Sequence, residues 1–99
     1  MAGPIYKLWL LRFTDAAYQM SEEEQADHLA KINAALEKAG GKRLLTCQSR
    51  WCSEQWVGFG VEEFPDIEAV QKFTELLDEF GHFRYISGIA LLGTEWQQS

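Results

Sequence analysis

Glu62, His82 and Arg84 are the side chains of this sequence best suited to acid–base chemistry. Glu62 belongs to a Glu62-Glu63 pair inside an apolar run. On an extended backbone such a pair sends one carboxylate to each face. If the strand is central, one of the two faces the interior or an interface. A buried carboxylate without a partner has a raised pKa, which is what a general base needs. Arg50 and Arg84 are the partners available to it. The competing reading is a structural ion pair or an exposed strand end. His82 opens the run His82-Phe83-Arg84-Tyr85. Histidine titrates near neutrality and serves as acid or base. Arg84 can hold a carboxylate or enolate oxygen through two parallel hydrogen bonds, and Tyr85 can donate to the same oxygen. The competing reading is a surface turn with one satisfied histidine. His28 lies one step off the apolar stripe of its helix and reads as a surface residue.

Aromatic side chains surround these groups. Trp9, Trp51, Trp56 and Phe59 are expected to line a substrate pocket, with Arg50 and Tyr85 as further contacts. Gly58 and Gly60 alternate on one strand face with Trp56 and Glu62. Together they leave a trough that a planar ligand could occupy, or that a helix or a partner sheet could fill. Cys47 and Cys52 read as small hydrophobes. Their separation of five residues puts them on opposite faces of an extended chain, which disfavours a mutual disulfide. The spacing of the two histidines and two cysteines shows no paired zinc-ligand pattern. A haem held through His82 has no motif behind it, and Gly-Phe-Gly is followed by no helix, as a nucleotide fingerprint requires. No metal and no cofactor are expected.

The chain has 99 residues, 46% of them apolar and 13% aromatic, enough for one marginal core. The expected organisation is a single domain over residues 1–99. So many large rings are hard to hide in one small core, which hints at a pocket or a partner surface. The net charge of −6 comes from nine basic and fifteen acidic residues. It argues against nucleic acid, where phosphate contacts need clustered cations, and against an anionic membrane surface. The acids Glu22, Glu23, Glu24, Asp27, Glu75, Asp78 and Glu79 read as solvated helix faces. The apolar run Leu8 to Leu11 is too short for a signal core, and nothing approaches a membrane span of roughly 20 apolar residues. The pair of unpaired cysteines fits a reduced, cytoplasmic setting.

The elements that must position these groups follow from periodicity. Ile5 to Phe13 reads as a strand apolar on both faces. Thr14 to Met20 is a connection. Ser21-Glu22-Glu23-Glu24 is a capping box. The helix after it shows a stripe of Ala26, Leu29, Ile32 (or Asn33 beside it) and Leu36 and stops at Gly40-Gly41. Strands over Lys42 to Trp51 and Gln55 to Phe64 flank a turn at Cys52-Ser53-Glu54. Asp66 caps a second helix with Ile67, Val70, Phe73, Leu76 or Leu77, and Phe80 on one side, and Gly81 closes it. A last strand covers Arg84 to Thr94. The order β-α-β-β-α-β with right-handed crossovers gives an α+β, ferredoxin-like, four-stranded antiparallel sheet of order 4-1-3-2.

Both helices then lie on one face. The other face still presents Tyr6, Leu8 and Leu10, or Trp9, Leu11 and Phe13. Burying four such side chains is worth on the order of 6–12 kcal/mol before association costs. A homodimer packed sheet to sheet is therefore expected.

A single βαββαβ chain with a sheet apolar on both sides resembles the dimeric α/β-barrel superfamily. The stretches R-W-C-S-E-Q-W-V-G-F-G-V-E-E-F-P and F-R-Y-I-S-G-I-A-L-L-G-T-E are also similar to a functionally uncharacterised bacterial group within it. The resemblance implies two sheets closing a barrel. It implies an activity drawn from cofactor-free oxygenases, small-ring isomerases, cyclases, haem-handling enzymes or proteins of unknown role. Two readings follow. One is a small cofactor-independent enzyme on an aromatic or polyketide-like substrate, with Glu62 or His82 moving a proton and Arg84 holding an anion. The other is a non-catalytic ligand-binding or protein-assembly module.

Overall fold

Phe64 is wholly buried, at 0% exposure, and its position at the end of a strand decides which side of the sheet the helices cover. The computed structural model describes residues 3–96. Its elements are β1 (Ile5–Phe13), α1 (Asp15–Tyr18), α2 (Glu22–Lys38), β2 (Lys42–Gln48), β3 (Gly58–Phe64), α3 (Ile67–Glu79), α4 (His82–Tyr85) and β4 (Ile86–Gly93). The four strands form one antiparallel sheet of order β2-β3-β1-β4, the expected 4-1-3-2 read from the other edge. Phe64 pairs with Ile5, so Ile5, Lys7, Trp9, Leu11 and Phe13 share its face. On that face Ala35, Leu36 and Ala39 of the α2 end and Ala69, Val70, Phe73 and Leu77 of α3 close over Phe64.

The helix ends form where capping chemistry requires them. The Ser21 hydroxyl accepts from Glu24 N–H at 3.1 Å, and Ser21 N–H donates to the Glu24 carboxylate at 3.0 Å. This closed box also holds the Glu24 carboxyl below its ordinary range. Asp66 accepts from Ala69 N–H at 2.8 Å to start α3. Gly40 and Gly81 follow the two long helices with φ of +82° and +77°, a region that side chains avoid. Ser21→Ala should cost about 1 kcal/mol, seen as a lower urea midpoint at unchanged slope.

Three strand boundaries, one short helix and the inward face of α2 differ from the sequence reading. The connection after β1 contains α1, capped by the Thr14 hydroxyl. β2 ends at Gln48 and β3 begins at Gly58, leaving residues 49–57 as a loop. Ser49 C=O there accepts from Cys52 and Ser53 N–H, and the Ser53 hydroxyl accepts from Gln55 and Trp56 N–H. The Ser49 carbonyl and the Ser53 hydroxyl thus take backbone donors that a strand ladder would have used. The last strand begins at Ile86, because His82–Tyr85 coil into α4. The inward stripe of α2 is His28, Ile32, Ala35, Leu36 and Ala39, while Ala26 and Leu29 face outward. Counting only aliphatic residues set that stripe one step off, because a histidine occupies its first position.

Among the described residues, no helix covers the opposite sheet face. By register it presents Tyr6, Leu8 and Leu10 of β1, Phe59 and Val61 of β3, Leu45 and Cys47 of β2, and Ile89 and Leu91 of β4. Leu45, Ile89 and Leu91 are 50, 60 and 68% exposed. Among the described residues no helix is long and apolar enough to cross a membrane.

Candidate functional site

The helix-covered face carries a row of charge at its centre. Lys7 on β1, Glu62 on β3 and Arg43 on β2 occupy one line of cross-strand partners. Glu62 is only 3% exposed. Its neighbour is Arg43, with Nη2 at 3.5 Å from Oε2, and not Arg50 or Arg84 as the sequence suggested. Arg50 and Arg84 lie in a loop and on α4, whereas cross-strand register places Arg43 opposite the carboxylate. Arg43 Nη1 also donates to Asn33 Oδ1 at 2.6 Å, tying β2 to α2. Its Nε is buried and unpartnered. Lys7 Nζ stands 5.2 Å from the Phe73 ring centroid. Burial raises the Glu62 pKa even against the pull of Lys7 and Arg43. Burial likewise lowers that of Lys7 against the pull of Glu62. Contact at 3.5 Å is at the long end for a charged pair, so desolvation prevails over pairing on both sides.

Two histidines lie on the same helix-covered side, one of them within reach of the Lys7 charge. His82 is 9% exposed, and its Nδ1 lies 3.0 Å from Nε2 of half-buried His28. The rings are nearly parallel, 9° apart in plane. One nitrogen must donate and the other accept, so the pair holds together only while one ring is neutral at that atom. Burial, then His28, then Lys7 bring the His82 pKa down to about 4, so the ring is uncharged at neutral pH. His28 is lowered too, by burial and Lys31, against Asp27. Phe80 packs edge-on to both imidazoles, Tyr85 edge-on to His28 and Phe83 edge-on to His82. Local sequence explains why α4 holds this place. Gly81 in its left-handed conformation turns the chain after α3. Thr14 N–H then donates to Tyr85 C=O at 3.0 Å, and the Thr14 hydroxyl donates to Arg84 C=O at 2.7 Å.

The structure thus brings Trp9, Glu62, His82 and Tyr85 to the helix side of the sheet, and leaves other candidates elsewhere. Trp9 lies over Gly60, where a Cβ would fall on its indole and 2.7 Å from Leu45 O. Gly58 likewise faces Cys47 O, 2.6 Å from where a Cβ would be. The trough between the glycines is therefore filled by the chain's own tryptophan and by the β2 backbone. Trp56 is not on that strand face but in the loop over residues 49–57. Arg84 is exposed, its guanidinium 6.0 Å from the Tyr85 ring centroid. Phe59 belongs to the open face, and Trp51 is 82% exposed in the loop. Lys7, Arg43 and His28 were missed. Lys7 had a signal, as the one charge in the parity Ile5, Lys7, Trp9, Leu11, Phe13. His28, read as surface, is instead half-buried against His82.

The residues present do not fit a haem held through His82, since Nδ1 is engaged by His28 and the ring is packed against Phe80 and Phe83. Among the described residues no three His, Cys, Asp or Glu side chains are placed to share a metal.

Hollows among the described residues include two at the surface. One, of about 330 Å³, runs between α2 and α3 past Ala35, Leu76 and Phe80. The other, of about 440 Å³, lies at the end of β1 between α1 and the loop, and is lined by Arg12, Phe13, Tyr18, Arg50, Glu54 and Trp56 among others. Neither is lined by Glu62, His82 or Arg84.

No protein-family model matches the chain, and no curated protein does. Solved structures do. Chlorite dismutase from Candidatus Nitrospira defluvii in complex with imidazole superposes with a TM-score of 0.77 at 11% identity, over 99% of this chain and 42% of that one. A variant of the same enzyme gives 0.75 at 14% identity, over 100% and 43%. A protein of unknown function from Rhodopseudomonas palustris gives 0.61 at 19% identity, over 97% and 85%. The chain therefore spans about two fifths of the chlorite dismutase chains it resembles. At these identities the likeness shows the fold alone, a ferredoxin-like α+β sheet with its long helices on one face. The expectation of an α+β, ferredoxin-like, four-stranded antiparallel sheet is borne out.

Proposed function

We propose that residues 1–99 act as one dimeric α/β-barrel domain that binds a small aromatic molecule, two copies meeting through their uncovered sheet faces. The observation that carries this reading is the composition of that face. All four strands give it large apolar side chains, and Leu45, Ile89 and Leu91 are at least half exposed. Water over such a sheet would ordinarily call for alternation to polar residues. Self-complementary burial under a two-fold axis removes that exposure with one patch. The free thiols of Cys47 and Cys52 agree with a reducing, cytoplasmic setting.

Within each copy the seam between sheet and helices is the place for chemistry. Glu62, with a raised carboxyl pKa, and His82, with a neutral imidazole, are groups of the kind that move protons. Trp9 shares the sheet face of Glu62, and Tyr85 packs edge-on to His28, the partner of His82. This supports a cofactor-independent enzyme of oxygenase, isomerase or cyclase type acting on an aromatic or polyketide-like substrate. Arg84 would hold an anion only after turning inward from its exposed position. The second reading, a non-catalytic ligand-binding or assembly module, has its own support, because neither hollow reaches Glu62 or His82.

Light scattering on purified protein tests the dimer. Twice the chain mass is expected, with a fall to the single-chain mass in the double variant Ile89→Lys, Leu91→Lys at an unchanged helical circular dichroism signal. A single-chain mass for the unaltered protein at micromolar concentration would remove the reading.

A further inference from the structure

The hollow at the end of β1 combines two features that the seam lacks, namely open volume and cationic groups that are not paired with a carboxylate. Arg12 places its guanidinium 5.6 Å from the Trp56 ring centroid, and Arg50 places its own 5.4 Å from that of Phe13. Tyr18 meets Phe13 edge-on at 5.8 Å. Among the described residues the ion pairs are Lys31–Asp27 and Arg43–Glu62, so neither Arg12 nor Arg50 is within 4 Å of a carboxylate. Glu54 is in the lining, but pairs with neither. A guanidinium near an aromatic face loses little hydration and keeps its fork of N–H donors available.

We infer that this hollow is a binding site for a planar aromatic carboxylate, the ring lying among Phe13, Tyr18 and Trp56 and the carboxylate taken by Arg12 and Arg50. The inference rests on the proposed aromatic-ligand reading, to which it adds a place and a charge. The volume of about 440 Å³ suits one fused-ring acid and lies within the usual range for small-molecule sites. Two cationic forks from different elements, β1 and the loop, can each give a carboxylate oxygen charge-assisted hydrogen bonds. A neutral analogue of the same shape keeps the stacking but loses those bonds. All the lining residues belong to one chain, so the site does not need the dimer.

The test uses 1-naphthoate and its uncharged amide, titrated into the full chain at about 150 mM salt, where loose surface attraction is screened. Calorimetry reads affinity, and chemical shifts of the tryptophan indole N–H groups read location. The expected result is saturable binding of the acid that moves the Trp56 signal. Affinity should be at least tenfold weaker for the amide, and for the acid with Arg12→Gln or Arg50→Gln. Both arginines are exposed, so these variants should keep the thermal midpoint of the parent. Equal binding of acid and amide, or unchanged affinity in both variants, overturns the inference and leaves the aromatic-ligand reading standing. Shifts confined to Trp9 overturn it in favour of the seam. No binding of either probe overturns the inference and the aromatic-ligand reading together.

Discussion

Glu62→Ala should cost about 3–5 kcal/mol of folding stability, among the largest losses available to a single side chain here. The carboxylate is 3% exposed and sits in register between Lys7 and Arg43. Removing it leaves two cations facing each other across the central strand. Arg43 has an alternative, since Asn33 Oδ1 takes its Nη1 at 2.6 Å and its side chain is 31% exposed. Lys7 has less recourse. Burial already lowers its pKa, and Glu62 is the group that opposes this. Without Glu62 it must stay charged in an apolar seam or give up its proton, and either course destabilises the fold. A truncation at a buried position also leaves a cavity. The double variant Lys7→Met, Glu62→Leu separates the two effects. It removes opposite charges together and keeps volume, so it should recover most of the loss in urea unfolding. A loss below about 1 kcal/mol for Glu62→Ala would mean that the row is three independent side chains and not a coupled unit. If the seam is catalytic, the double variant should fold and be inactive, which distinguishes a proton-moving role from a structural one.

The order of strands and both long helices were legible because their signals are local. A capping serine with glutamate three residues on, a glycine after each helix and apolar spacing of three and four residues all act within one or two turns. The uncovered face was legible in kind, since β1 is apolar at both parities. The side the helices take was not, because either parity would serve until Phe64 is seen to be buried beside Ile5. The loop over residues 49–57 was misread for a related reason. Trp51, Trp56 and Val57 have strand propensity, but Ser49 and Ser53 capture the backbone groups first. The candidate site shows the same limit more sharply. Glu62 and His82 were found as residue types able to do chemistry. Their partners, Arg43 and His28, depend on sheet register and on the rotation of a helix about its axis. A single step of rotation moves His28 from solvent to a 3.0 Å contact with His82. Arg84 fails in the opposite direction, because α4 curls the chain just before β4 and leaves its guanidinium outside.

The second large effect is acid sensitivity that depends on His82. Its folded pKa, about 4, lies below the ordinary value of 6.5, so the unfolded chain takes up a proton first as the pH falls. The contribution of neutral His82 is complete above about pH 6.5, declines as the pH falls, and is gone below about pH 4. The slope approaches 1.4 kcal/mol per pH unit, and the whole amounts to at most about 3 kcal/mol. The groups facing the ring are His28 from α2, Phe80 from α3, Phe83 on its own turn and Lys7 from β1. None is an anion that would stabilise the imidazolium. His28, also lowered, acts in the same sense. Glu62 acts in the opposite one. Its folded pKa is raised, so its protonated form stabilises below the ordinary carboxyl pKa, and that contribution is lost as pH rises through the folded value. The two groups face the same seam and titrate against each other, so the unaltered protein should lose less between pH 6.5 and 4 than His82 alone implies. His82→Phe removes one side of this balance. Urea unfolding at half-unit steps from pH 7.5 to 4 should show the gap between parent and His82→Phe shifting by about 3 kcal/mol towards the variant as the pH falls. In Glu62→Gln the acid loss should steepen. Parallel stability curves for parent and His82→Phe across that range would show that His82 is not held neutral. The seam would then have no imidazole poised to accept a proton, and the enzymatic reading would lose its principal support.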